Sequence, residues 1–226
     1  MSDSFRALPS AARGPLLLAP LRIEAAAARL GVTGRARVER IGMGPAHAGT
    51  TCARLARELS VEPVTAVAVV GLAAGLARED RAGDVVIATE LTALGTARPP
   101  RVLDGALSDR LRAELAPVAG GRARCGPVAS TRALAPASRL ADDPEVAATG
   151  VLACDMESAW LGPLAESCPR FAVVRVIVDH PGRPLFGPWT LSGGVTALRR
   201  LAAIAATLAR ALAVEAGAPA GSFMTA

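Results

Sequence analysis

Two apolar, strand-like segments that each run into acidic residues constrain this chain most. The first, residues 151–154 (Val-Leu-Ala-Cys), leads directly into Asp155-Met156-Glu157. The second, Phe171-Ala172-Val173-Val174, continues through Arg175-Val176-Ile177-Val178 to Asp179. Between them, residues 158–166 carry a helical pattern. Parallel strands joined by a helix place their carboxyl ends on one edge of a sheet, and ligands bind at that edge. The pattern predicts that Glu157 and Asp179 reach one pocket from parallel strands.

The rest of the chain alternates in the same way. Residues 16–19 (Leu-Leu-Leu-Ala) read as a first strand, broken by Pro20, and residues 21–30 as a helix capped by Gly31. Glu24 falls in the first turn of that helix, where a carboxylate complements the helix dipole. Residues 35–41 alternate polar and apolar, as an edge strand does. Gly42-Met43-Gly44-Pro45 then opens a helix over 46–60. Such a turn either presents backbone N–H groups to an anion or only reverses the chain. It is a poor dinucleotide fingerprint, because His47 stands where a third glycine belongs.

Residues 64–70 form a continuous apolar run, the mark of a central buried strand. It ends at Gly71-Leu72-Ala73-Ala74-Gly75, where missing side chains allow close approach to a ligand or close packing. A charged turn (78–84), a strand (84–88), an irregular stretch with Pro99-Pro100 (91–100), a helix (106–115) and a strand (122–129) ending at Ser130 follow. Residues 135–148 are a helix-prone connection. Residues 180–189 hold three prolines and two glycines and read as a lid-like loop, and residues 194–216 as a closing helix. Six or seven strands alternating with helices predict an α/β fold, a central, mostly parallel mixed sheet between helical layers.

The 226 residues suit one domain, 1–226, with 1–13 and 217–226 as flexible ends. No apolar run approaches the roughly 18 residues of a membrane span, and residues 1–13 lack the build of a signal peptide. A cytoplasmic protein without stable membrane insertion is expected. The net charge of +5 comes from scattered arginines, with no lysine, and aromatics make up 3% of the chain. That is not the basic stripe with stacking rings that binds nucleic acid. Cys52, Cys125, Cys154 and Cys168 form no CxxC pair, and His47 and His180 are the only histidines. Reduced thiols and no metal are expected.

Taken together, these stretches resemble the purine nucleoside phosphorylase and nucleosidase superfamily, in the branch of methylthioadenosine/S-adenosylhomocysteine nucleosidase. The residues that carry the resemblance are Ala19-Pro20-Leu21-Arg22-Ile23-Glu24, Gly42-Met43-Gly44, Gly71 to Leu76 followed by Gly83-Asp84-Val85-Val86, Asp155-Met156-Glu157, and Arg175 to Asp179. The stretch from Asp179 to Leu185 is most similar to hopanoid-associated members, which remove adenine from adenosylhopane.

The resemblance implies roles. Asp179 is the acid at purine N7, Glu24 the water-activating carboxylate, and Arg175 the arginine that orients that carboxylate or the water. Glu157 takes the ribose hydroxyls and Met156 packs on base and sugar. Gly71, Leu72, Ala73 and Ser130, with Phe186 and Trp189 from the late loop, complete the substrate set; Asp155 is read as a helix cap. Arg22, Gly42 and Gly44 are the candidates for a phosphate. The family implies a homo-oligomer and no cofactor beyond inorganic phosphate in phosphorolytic members. Departures shift the balance. Val69 and Leu72 stand where phosphorolytic members carry arginine and serine, which favours water as nucleophile. Ala133 or Leu134 stands where an aromatic ring often covers the base, and Val178 where a hydroxyl residue is frequent.

Overall fold

The structure, a computed structural model, describes residues 13–183 and 190–214. The predicted flexible ends, 1–13 and 217–226, lie outside these apart from Arg13. Arg13 itself bridges to Val64.

The elements follow in chain order: β1 (Leu16–Ala19), α1 (Arg22–Gly31), β2 (Arg37–Arg40), α2 (Pro45–Val61), β3 (Val67–Gly75), β4 (Val85–Ala93), β5 (Arg101–Val102), α3 (Gly105–Leu115), β6 (Ala123–Ser130), α4 (Ala137–Ala141), α5 (Pro144–Thr149), β7 (Ala153–Asp155), α6 (Ser158–Leu161), α7 (Leu164–Ser167), β8 (Phe171–Asp179) and α8 (Thr190–Val214). The mixed α/β architecture with a central sheet between helices is the one the sequence predicts. Five of the strand pairings are parallel and three antiparallel.

β1, β3 and β8 are almost continuously apolar because both of their faces are covered. Side chains alternate between faces with a period of two, and the chain uses that period to fill two cores. Leu16, Leu18, Val67, Val69, Val173 and Ile177 face one side, with Cys52, Leu55 and Leu59 of α2. Leu17, Ala19, Ala68, Val70, Val174 and Val176 face the other, with α1, α3 and α8. Burying a Val or Leu side chain contributes roughly 1.5–3 kcal/mol, so either face alone would be a large apolar surface if left open.

The order is β2-β1-β3-β7-β6-β4-β5, and β8 pairs both β3 and β4. The pairings β3–β7, β7–β6, β6–β4, β4–β8 and β8–β3 thus close a circuit. Here the structure corrects the opening expectation. β8 runs parallel to β3, but β7 runs antiparallel to it, so β7 and β8 are not parallel neighbours. Their acidic residues meet because both strands register against the end of β3. Ala74 pairs with Cys154 on one side and with Asp179 on the other.

Several element boundaries also differ. β3 continues five residues past Val70, through Gly71 and Gly75. The neighbouring β8 supplies its hydrogen bonds, and the missing Cβ atoms make room: a Cβ on Gly75 would meet Asp80 Oδ2 at 2.4 Å. β4 extends through Ala93, into the stretch predicted irregular, because β6 pairs with it as far as Ser130. Gly31 is no left-handed cap. It is the last residue of α1, where α8 crosses, and a Cβ there would fall 1.9 Å from the Ala202 carbonyl oxygen. α8 begins at Thr190, through Gly193 and Gly194; Gly193 lies close to the Val178 carbonyl, so packing offsets the roughly 1 kcal/mol helical penalty of a glycine.

Candidate active site

A cleft of about 170 Å³ opens at the end of β3. Leu72, Ala73 and Ala74 form its floor, Cys154 to Glu157 one wall, and Glu24 with Val178 and Asp179 the other. Leu21, Met43 and Leu134 line its mouth and are themselves partly exposed, at 37%, 48% and 55%.

Glu24 is 2% exposed. Its Oε2 accepts the Leu21 N–H at 2.7 Å and its Oε1 the Leu72 N–H at 2.7 Å. The first bond is the helix-terminus role that its position predicts; the second ties α1 to β3. Burial raises its pKa, against the pull of the Leu72 N–H and of Arg175. Glu157 is equally buried. Its Oε1 accepts the Gly44 N–H at 2.8 Å, and its Oε2 lies 3.6 Å from Arg175 Nη2. Burial pushes its carboxyl up to about 7; Arg175 opposes this and the Asp155 charge adds to it. Asp179 is 4% exposed and its Oδ2 accepts the Ala137 N–H at 3.3 Å.

Arg175 is fully buried. Its Nη2 pairs with Asp155 Oδ2 at 2.6 Å, and Nε and Nη2 donate to Ser158 Oγ at 3.1 and 2.9 Å. Its Nη1 lies where Gly71 has no side chain. A Cβ on Gly71 would meet Nη1 at 2.6 Å and Glu24 Oε1 at 3.0 Å. The first glycine of the Gly71–Gly75 stretch therefore sits under the arginine and the glutamate, and the cleft floor begins one residue later.

The predicted phosphate set is dispersed. Gly42 and Gly44 take positive φ (87° and 89°), but the Gly42 N–H donates to the Pro20 carbonyl at 3.1 Å and the Gly44 N–H to Glu157. Arg22 is exposed and is not part of the cleft wall. Ser130 is also outside the wall. It is fully buried, donates to Asp155 and accepts the Ala159 N–H at 2.9 Å. Phe186 and Trp189 lie outside the described residues.

A model of the phosphorylase superfamily matches residues 24–216. The chain belongs to the phosphorylase superfamily. Among solved structures, it is similar to the 5′-methylthioadenosine/S-adenosylhomocysteine nucleosidase of Neisseria meningitidis in complex with methylthio-immucillin-A, with TM-score 0.69, 19% identity, and 90% of this chain and 99% of that one covered. It is also similar to a mutant of the Helicobacter pylori nucleosidase with 5′-methylthioadenosine in the active site (TM-score 0.66, 16% identity, 90% and 99% covered). A third similar structure is the futalosine hydrolase of Helicobacter pylori (TM-score 0.65, 15% identity, 90% and 98% covered). A search of curated sequences gives no significant match.

In this superfamily member, the residue that sequence reasoning undervalued is Asp155. It is not the N-cap of α6, which is Glu157, but from the end of β7 it accepts the Glu157 and Ser158 N–H groups at 3.0 and 3.1 Å. It also accepts the hydroxyls of Ser130 and Ser158 and holds Arg175. Ser158, three residues on, is a hydroxyl partner visible in the sequence. Cys154 also lines the cleft; burial pushes its thiol up to about 12, so it is a neutral packing group. Among the described residues no three or more His, Cys, Asp or Glu are grouped to hold a metal, and no helix is long and apolar enough to cross a membrane. The four cysteines are free.

Proposed function

We propose that this protein cleaves the N-glycosidic bond of a purine nucleoside, adenine being the base, with water as the nucleophile. The observation that carries the reading is the convergence of Glu24, Glu157 and Asp179, from three separate elements, on one cleft.

Bond cleavage builds positive charge on the ribose and negative charge on the departing base. Asp179, beside the Ala137 N–H, is placed to protonate the base as it leaves. Glu157 accepts the ribose 2′- and 3′-hydroxyls, which a carboxylate does with both oxygens. Glu24 takes the proton of the attacking water. Its raised pKa suits it, because a base works best when its pKa lies near the working pH. Arg175 is held by Asp155 and Ser158 with Nη1 facing the Glu24 side, where it stabilises the negative charge that develops around the water.

Water is favoured over phosphate by the occupancy of the glycine turn. The two N–H groups that would cradle a dianion are bonded to Pro20 and Glu157, and the exposed Arg22 is not at the cleft. The apolar mouth residues Leu21 and Met43 favour a large or apolar 5′ substituent. Adenosylhopane is the candidate that the resemblance of the Asp179–Leu185 stretch nominates, which would place a cytoplasmic homo-oligomer in hopanoid synthesis. Incubation with adenosylhopane, methylthioadenosine, S-adenosylhomocysteine and inosine, with and without phosphate, tests the reading. Free adenine released without phosphate supports it. No base from any substrate, with tight nucleoside binding, would instead identify a non-catalytic binding protein.

A further inference from the structure

Four ionisable side chains are buried together at the cleft, Glu24, Asp155 and Glu157 in its walls and Arg175 behind them, at 2%, 7%, 4% and 0% exposure. Three are carboxyl groups and one is a cation. The donors are shared unequally. Asp155 receives the Arg175 guanidinium at 2.6 Å, two backbone N–H groups and the hydroxyls of Ser130 and Ser158. Glu157 receives one backbone N–H and a more distant guanidinium at 3.6 Å. Glu24 receives two backbone N–H groups. A buried carboxyl group short of donors is more stable protonated.

We propose that Asp155 is a positioning residue that holds Arg175 to itself, so that Glu157 keeps a proton in the ligand-free site and releases it when a vicinal diol binds. The last step rests on the nucleosidase reading; the ligand-free charge state does not. A neutral carboxylic acid has one good acceptor oxygen, whereas the ionised group offers two to the hydroxyls of a sugar. The proton leaves to the buffer on binding, and the ionised carboxylate then accepts from the diol hydroxyls beside the Gly44 N–H. The charged and titratable groups facing Glu157 are Arg175 from β8, Asp155 from β7 and Glu24 from α1, with the Gly44 N–H from the start of α2. Burial raises the carboxyl groups of both Glu157 and Glu24, and the Asp155 charge adds to each.

Infrared or carbon-13 titration of the carboxyl groups of the ligand-free protein tests the charge state without any substrate. In wild type a carboxyl signal near 7 that Glu157→Gln removes is expected. In Asp155→Asn, Arg175 is freed to neutralise Glu157, and that midpoint falls below about 6; Asp155→Glu, which keeps the charge, restores it. A wild-type protein in which every carboxyl titrates below about 5 overturns the proposal, whether or not the asparagine variant folds. So does an Asp155→Asn midpoint unchanged from wild type. Calorimetry near pH 6 then uses a C-nucleoside analogue of adenosine, whose bond to the base is not cleaved. Run in two buffers of different ionisation enthalpy, it reads the linked proton. Wild type releases up to about one proton per site and Asp155→Asn less than about half of that. Binding without proton release in wild type overturns the linkage. A neutral-range titration together with no analogue binding leaves the charge assignment standing and counts against the nucleosidase reading.

Discussion

The Gly44 backbone N–H donates to Glu157 Oε1 at 2.8 Å, joining residues 113 positions apart. The glycine turn whose sequence suggests an anion cradle is thus already occupied by a carboxyl group of the protein itself. This bond fixes the start of α2 against β7 and leaves that N–H unavailable to a phosphate.

Rates of base release are therefore expected to be equal in phosphate and in phosphate-free buffer. A strict requirement for phosphate, measured by initial rates of free base, would show that the turn reopens and that phosphate is the nucleophile.

Asp179→Asn and Glu24→Gln should each lower kcat by roughly 10²–10⁴, as loss of a general acid or base does, while circular dichroism stays that of wild type. Near-normal turnover in either variant would remove that residue from the mechanism.

Gly71→Ala tests whether the space under Arg175 is functional. The added Cβ meets Nη1 at 2.6 Å and Glu24 Oε1 at 3.0 Å, and Arg175 is pinned by Asp155 and Ser158. Activity should fall on the order of 10²-fold from misplaced groups, with a loss of stability of about 1–3 kcal/mol. Steady-state kinetics beside denaturant melts separate the two effects.

Glu157 makes stability fall as pH rises. Its folded pKa, about 7, lies above its ordinary 4.5. A raised carboxyl favours the folded state when protonated. That contribution is complete below about 4.5 and is lost as pH climbs to about 7. Between those limits wild type should lose on the order of 1–3 kcal/mol relative to Glu157→Gln, which cannot ionise. Urea melts across that range check the sign. Since the sugar requires the ionised form, kcat/KM for the nucleoside should also rise through about pH 7.

Gly31→Ala separates local preference from packing. Alanine is the better helix former by about 1 kcal/mol. Its Cβ would fall 1.9 Å from the Ala202 carbonyl oxygen, so α1 and α8 must part. A net destabilisation of about 1–3 kcal/mol is expected, read as a lowered Tm; an unchanged Tm would mean that the crossing is looser than its geometry.

The sequence by itself determined the elements and the chemical types of the site. Continuous apolar runs such as Val67 to Val70 mark strands buried on both faces, and the glycines after them mark close backbone approach. Glu24, Glu157 and Asp179 stand out because carboxylates follow or flank such runs at helix starts and strand ends. Tertiary structure decided how they meet. Local pattern shows that a segment is a strand but not its direction relative to a strand far away in the chain. The reversal of β7, which brings Asp155 and Glu157 back along β3, was therefore not legible in the sequence. Nor was the division of donors. Whether Gly44 serves a ligand or Glu157, and whether Arg175 serves Glu24 or Asp155, depends on distances of a few ångströms between separate elements. Those distances follow from closing five strands into one circuit, and hydrogen bonds and ion pairs depend too steeply on distance to be assigned before it is closed.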